Sequence, residues 1–245
     1  GDGANTINAG AEANTITTGS GNDIIVTGAN TDIIIAGAGN NTINAAAGAN
    51  TIISLGGTDI IITTGGIDII NAGDGANTIN AGAEVNTITT GSGNDIIVST
   101  TNNDIIIAGA GNNTINAGAG NNTIISLGGV DIIITTGGND IINAGDGINT
   151  INAGDGANTL TTGTANDIII GGGGIDIIIS GGGNDIIITG GGADIVTAGA
   201  GNDTVTTGAA ADIIFPGAGV DILIITGTDA VDTIVLDDAY LGTAT

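Results

Sequence analysis

Apolar and polar residues recur along this chain with a period of nine. From residue 1 to residue 225 the sequence divides without insertion into 25 nonapeptides, beginning GDGANTINA, GAEANTITT and GSGNDIIVT. Position 7 of every unit is Ile, Val or Leu, and position 5 is always Asn or Asp. Positions 1 and 3 are each Gly in 19 of the 25 units. Self-similarity at a fixed short period predicts a repeat architecture.

Each nonapeptide predicts a turn followed by a short β-strand. Glycine at positions 1–4 allows the positive φ angles that tight turns need. Positions 6–8 are mostly β-formers, and a strand directs position 7 to one face and positions 6 and 8 to the other. Three residues do not make a stable strand alone, so neighbouring units must stack to bury position 7, as in a solenoid. The glycine and β-branched content disfavours a helix.

A longer repeat lies on top of the nonapeptide. Residues 1–72 and 73–144 differ at only nine positions, for example Ala13 against Val85, which indicates a duplication of eight units. Residues 145–225 keep the frame with more variation, and residues 226–245 leave it. We therefore predict one repeat domain over 1–225, followed at 226–245 by a C-terminal cap or the start of another segment.

Composition and charge exclude several classes of partner. The 245 residues include 48 Gly and no Lys, Arg, His, Cys, Met or Trp, and the net charge is −25. Nucleic acid is not expected as a partner, because phosphate contacts need Lys or Arg. Membrane insertion is not expected either, because no segment approaches the roughly 18 apolar residues of a membrane helix. Charge repulsion of this size opposes a compact state, so a counter-ion is implied.

Many units resemble the nonapeptide of the RTX, or haemolysin-type, calcium-binding family, G-G-x-G-x-D-x-U-x, where U is a large apolar residue. The pattern is visible in GAGNDTVTT at 199–207 and in GGGNDIIITGGGADIV at 181–196. The resemblance implies an all-β fold, a parallel β-roll or β-solenoid with two nonapeptides (18 residues) per coil, about 12 coils, and Ca²⁺ in the turns. A coil of 36 residues, which would stack Asn on Asn and Ile on Ile, is the alternative.

The resemblance assigns the aspartate at position 5 as the calcium ligand. Ca²⁺ takes six to eight oxygen ligands from carboxylates and carbonyls, and the chain has no softer N or S side chain for zinc or copper. An Asn or Asp at this position could also simply cap the backbone of a turn. The candidate metal ligands are Asp23, Asp32, Asp59, Asp68, Asp95, Asp104, Asp131, Asp140, Asp167, Asp176, Asp185, Asp194, Asp203, Asp212 and Asp221.

Position 5 departs from the family pattern in a regular way. In the first 18 units it runs Asn, Asn, Asp, Asp, beginning Asn5, Asn14, Asp23, Asp32, and from Asp167 onward it is always Asp. With two units per coil, 18 sites between coils combine Asn with Asp, and five combine two Asp. Because fewer anionic ligands weaken calcium binding, we expect tight sites within 163–225 and weaker or empty ones before.

Acidic residues outside position 5 are expected to be solvated turn residues rather than auxiliary ligands. They are Asp2, Asp74, Asp146, Asp155, Glu12 and Glu84.

The outward positions 6 and 8 are both apolar in eleven units, which favours packing against another copy or another surface protein. We therefore expect a secreted bacterial protein, an extracellular calcium-rigidified rod of a surface fibre, sheath, surface layer or adhesin stalk. The alternative is the calcium-folded C-terminal module of a secreted toxin or hydrolase. Catalysis is not expected, because the regular aspartates include no distinguished site and no His, Lys or Arg accompanies them.

Overall fold

The computed structural model describes residues 1–227 and 231–236, and all of the regular structure in this part is β. Twenty-six strands form two parallel 13-stranded sheets, and successive strands alternate between them. The first sheet contains β1 Thr6–Asn8, β3 Ile24–Val26, β5 Thr42–Ala47, β7 Ile60–Gly65, β9 Thr78–Gly82, β11 Ile96–Ser99, β13 Thr114–Ala119, β15 Ile132–Gly137, β17 Thr150–Asn152, β19 Ile168–Gly173, β21 Ile186–Gly191, β23 Thr204–Thr206 and β25 Ile222–Ile224. The second contains β2 Thr15–Thr17, β4 Ile33–Ala38, β6 Thr51–Gly56, β8 Ile69–Gly73, β10 Thr87–Thr90, β12 Ile105–Ala110, β14 Thr123–Gly128, β16 Ile141–Asn143, β18 Thr159–Thr161, β20 Ile177–Ile179, β22 Ile195–Thr197, β24 Ile213–Phe215 and β26 Thr233–Ile234. Among the described residues, none forms a helix able to cross a membrane.

Strand pairing fixes the coil at 18 residues. Thr6 pairs with Ile24, and Ile24 pairs with Thr42, each 18 residues further on. The N–H of position 6 donates to the position-5 carbonyl of the coil before, as from Ile24 to Asn5 O at 2.8 Å. The predicted 18-residue parallel solenoid is therefore confirmed. The 36-residue alternative is wrong, since Ile strands stack on Thr strands.

The core is a double column of position-7 side chains between the two sheets. Ile25 and Ile34 have no exposed surface, and the same holds at almost every equivalent position along the solenoid. The flanking residues point outward, so a typical strand such as Ile24–Val26 is exposed, buried, exposed. Position 9 also faces inward, as Ala36 and Ala45 show, which explains why it is small.

Several strands are longer than the three residues that the pattern predicts. Ile33–Ala38 and Ile105–Ala110, for example, continue through position 9 into the next unit. The register shifts between Ile107 and Gly109, where Gly109 has φ of 68°. A bulge of this kind lets the strand bend while it keeps pairing. The periodicity alone reads this glycine as the start of a turn.

The C-terminal end adds one strand outside the nine-residue frame. β26 pairs with β24 at an offset of 20 residues, with Thr233 opposite Ile213. The 25 units supply twelve and a half coils, and β26 completes the thirteenth. The predicted cap or following segment at 226–245 falls partly on 228–230 and 237–245, which lie outside the described residues.

Glycine at position 3 is expected to be essential where the backbone of adjacent coils meets. Gly66 has φ of 108°, and a Cβ there would overlap the carbonyl oxygen of Gly48. We expect Gly66→Ala to destabilise the calcium-loaded protein by at least about 1–2 kcal/mol, because a left-handed conformation and a backbone clash are both imposed. Gly65, whose Cβ would meet nothing within 4 Å, is the matched control. Urea unfolding followed by circular dichroism checks this, and equal midpoints for the two variants would contradict it.

Candidate metal sites in the turns

The position-5 side chains form two columns, one on each side of the solenoid. In each column Oδ1 accepts the main-chain N–H of the position-5 residue one coil earlier, as from Asn5 N to Asp23 Oδ1 at 2.8 Å. This bond recurs between every pair of consecutive coils, at 2.7–3.1 Å. Asn and Asp therefore hold Oδ1 in the same way.

The second atom of each asparagine side chain closes its own turn. In all ten position-5 asparagines Nδ2 donates to the carbonyl oxygen two residues earlier, as from Asn50 to Gly48 O at 2.9 Å. Asn149 Nδ2 also reaches Gly145 O at 3.2 Å. Because Oδ1 meets N–H groups and Nδ2 meets oxygens, the partners determine the orientation of the amide.

The second atom of most aspartates has no such partner. Within 1–227 and 231–236, no hydrogen-bond donor serves the buried Oδ2 of eleven aspartates. The nearby position-9 hydroxyls often donate elsewhere, as Thr63 does to Ala81 O at 2.9 Å. A buried anionic oxygen without a partner is costly. The eleven are Asp23, Asp32, Asp59, Asp68, Asp95, Asp140, Asp167, Asp176, Asp185, Asp194 and Asp203.

Three aspartates have a hydroxyl donor at Oδ2. Ser126 Oγ donates to Asp131 at 2.7 Å, Ser99 Oγ to Asp104 at 2.5 Å, and Thr189 Oγ1 to Asp212 at 3.5 Å. A hydroxyl is neutral, so it leaves the charge of the carboxylate uncompensated.

The surroundings of Oδ2 suit a hard cation. Since Oδ1 is held alike in both residue types, Oδ2 of Asp occupies the place of Nδ2 of Asn, among main-chain carbonyl oxygens. Carboxylate and carbonyl oxygens are the ligands that Ca²⁺ takes. The described residues contain no group of three or more His, Cys, Asp or Glu able to hold a metal, so carbonyls would have to complete each shell. The residues present therefore fit calcium.

Burial changes the acidity of these carboxyls. It raises the pKa of Asp59, Asp68 and other column aspartates, although the N–H bond from the preceding coil opposes the shift. The pKa of Asp176 and of Asp203 rises to about 6, and neighbouring carboxylates contribute to both shifts. Strands in a sheet are about 4.8 Å apart, where two charges repel by about 3 kcal/mol at an effective dielectric of about 20. The all-Asp segment therefore needs a counter-ion most.

The structure places all fifteen predicted ligands in these two columns. The acids outside position 5 are exposed, as predicted for turn residues. Asp74 and Asp146 instead accept N–H groups from Ser92 and Thr164 on the outer surface, which lowers their pKa.

The sequence pattern missed one column member, Asp232. It accepts the N–H of Asp212 at 3.0 Å, and its Oδ2 accepts the hydroxyl of Thr207 at 3.2 Å. The signal was present in VDTIV at 231–235, which repeats the order of positions 4–8. A two-residue insertion displaces it from the nine-residue frame.

Stacked turns, an Ile core and buried carboxylate columns together define a calcium-binding β-solenoid. The family model of the RTX calcium-binding nonapeptide repeat matches seven overlapping segments, 1–34, 26–61, 62–97, 98–133, 134–169, 161–196 and 188–223. A comparison with curated protein sequences finds no match. The chain belongs to the family of RTX calcium-binding nonapeptide repeats, and it is a structural module of that family.

The raised pKa values predict that acid stabilises the metal-free fold. A carboxyl whose folded pKa is raised binds protons more readily folded than unfolded, so its destabilising effect grows as pH rises through the folded value. With folded values near 6 for Asp176 and Asp203, we expect more β signal in chelator at pH 5 than at pH 8. Circular dichroism measures this, with the calcium-saturated protein as the control. Less structure at pH 5 than at pH 8 would contradict the expectation.

Proposed function

We propose that the chain is an extracellular structural element, a rod stiffened by calcium in a surface fibre, sheath, surface layer or adhesin stalk. The observation that carries the proposal is the pair of columns of buried aspartates, whose second oxygens lack donors in eleven cases. At neutral pH these carboxylates oppose folding unless a cation binds. Calcium binding and folding are therefore coupled.

The ligand chemistry supports a location outside the cell. Each site would offer one or two carboxylates, with main-chain carbonyls supplying the rest. Low ligand charge goes with weak affinity, and extracellular calcium modules bind at about 10⁻⁴–10⁻³ M. RTX repeats are also characteristic of secreted bacterial proteins. A chain of this design would stay unfolded where calcium is scarce and fold where it is abundant.

The outer faces of the solenoid support lateral association. Positions 6 and 8 carry Ile, Val, Leu, Thr, Asn or Phe and no charged residue through the 25 units, so the negative charge is confined to the turns. Outward isoleucines remain accessible, for example Ile24 at 49% and Ile69 at 54%. Neutral, partly apolar sheet faces between charged edges allow copies to pack face to face, with calcium reducing the repulsion between edges.

Membership of the RTX family also supports the alternative, a calcium-folded C-terminal module of a secreted toxin or hydrolase. The calcium-dependent fold would be the same in both cases, and the active part would lie outside this chain. The sequence of the full gene distinguishes the two, because the alternative requires an effector domain without repeats. A catalytic role for the chain itself is not proposed.

Folding is expected to require calcium at neutral pH. We predict that excess chelator at pH 7.5 removes most of the β signal in circular dichroism and that added Ca²⁺ restores it. Mg²⁺ is the control, because it demands near-ideal octahedral geometry and dehydrates reluctantly. An unchanged β signal in chelator would show that the buried carboxylates do not need an ion.

Association is expected to depend on the outward isoleucines. We predict that electron microscopy of the purified protein in calcium shows filaments or sheets, and that Ile60→Thr, Ile96→Thr and Ile132→Thr together reduce them. Thr occupies the same position in the adjoining coils, as Thr78 and Thr114 do, so the fold and calcium binding should persist. Dispersed single particles for the parent protein would argue against the rod assembly and leave the module alternative.

A further inference from the structure

We propose that each position-5 asparagine takes the place of a calcium ion, so that its side-chain amide closes a site which calcium closes elsewhere. The inference rests on the calcium binding of the repeat and is independent of whether the rod assembles. It replaces a gradual loss of affinity across mixed sites with two distinct kinds of site. The identity of the earlier residue, the one that heads the site along the chain, decides which kind forms.

The site between two coils is asymmetric, because the second atom of the earlier residue projects into it. Asn41 shows the arrangement. Its Nδ2 donates to Gly39 O in its own turn at 3.0 Å and to Ser54 Oγ, which belongs to the turn of the next coil, also at 3.0 Å. Asn158 Nδ2 likewise contacts Gly156 O at 3.1 Å and Gly171 O of the next coil at 3.5 Å. The amide therefore cross-links two coils from within the site.

The amide can also bridge the two position-5 residues of a site. Asn5 Nδ2 lies 2.8 Å from Asp23 Oδ1, the same oxygen that accepts Asn5 N. The two N–H groups of the amide thus satisfy oxygens that a bound cation would otherwise share. They carry partial positive charge and point at the same acceptors, so an ion would have to displace them and lose those hydrogen bonds.

The 18 mixed sites consequently fall into two unlike classes. Ten are headed by Asn and closed by its amide. Eight are headed by Asp, whose Oδ2 faces oxygens with Asn Oδ1 on the next coil, as in Asp68 N to Asn86 Oδ1 at 3.1 Å. The five all-Asp sites and the site from Asp212 to Asp232 are also headed by Asp. We thus expect about fourteen calcium sites and ten amide-closed sites, rather than calcium between all coils.

The pattern has an electrostatic consequence. Alternating Asn coils with Asp coils separates carboxylates of one column by two strand spacings, about 9.6 Å. Metal-free repulsion is therefore weaker in 1–162 than in the all-Asp segment. Causes from neighbouring carboxylates accordingly enter the raised pKa of Asp176, Asp194 and Asp203, and they do not enter those of Asp59 or Asp68.

Adjacent asparagines supply a matched test. Asn41, Asn113 and Asn122 are buried at position 5, whereas their preceding neighbours Asn40, Asn112 and Asn121 are exposed at position 4. One full-length variant changes the three buried residues to Asp, and its control changes the three exposed residues to Asp, so both add the same charge. A reciprocal variant carries Asp68→Asn, Asp95→Asn and Asp140→Asn. Bound calcium is counted by equilibrium dialysis in millimolar Ca²⁺ with 0.15 M NaCl.

The expected counts are about fourteen ions for the parent, three more for the buried variant, no change for the control and three fewer for the reciprocal variant. A parent count near 24, or equal gains in the buried variant and its control, would overturn the substitution of ion by amide while leaving calcium binding intact. A count near zero would overturn both this inference and the calcium-dependent function.

A second readout does not depend on counting ions. In chelator, the reciprocal variant should keep more β structure than the parent, because three unpartnered carboxylate oxygens become amide donors. The buried variant should keep less β structure than its equally charged control. The same circular dichroism signal for the buried variant and the control in chelator would oppose the inference.

Discussion

The structure depends on one repeated hydrogen bond, from the main-chain N–H of each position-5 residue to Oδ1 of the position-5 residue one coil later. It holds each turn at a fixed distance from the next, as between Asp59 N and Asn77 Oδ1 at 3.0 Å. This bond also buries the side chain and fixes the direction of its second atom. An amide there closes the turn, whereas a carboxylate there creates a need for a cation. The isoleucine core stabilises both arrangements equally.

Much of the fold could be predicted from the sequence, because a strict period constrains every unit at once. Position 7 was placed in the core correctly, and the family resemblance supplied the 18-residue coil that the pairing of Thr6 with Ile24 confirms. The extension of strands such as Ile105–Ala110 could not be read, because glycine at position 1 signals a turn even where a bulge continues the strand. Asp232 was missed because an insertion of two residues breaks the frame that revealed all the others.

The candidate sites could be predicted by residue but not by kind. Spacing places Asn and Asp at the same point of the coil and gives no information on where the second side-chain atom lies. The two residues are nearly equal in size, and both accept the same main-chain N–H through Oδ1. The difference between Asn50, which donates to Gly48 O, and Asp68, whose Oδ2 has no donor in the described structure, is visible only with neighbouring coils in place.

The central claim is that the position-5 side chain determines whether an amide or an ion closes each site. A crystal structure of the calcium-loaded protein, with anomalous differences used to locate the ions, tests this most directly. The account predicts an ion beside Oδ2 of aspartates such as Asp68, and none in the site headed by Asn50, where Nδ2 should still donate to Gly48 O. An ion in that site, coordinated by a reversed Asn50 amide, would contradict it.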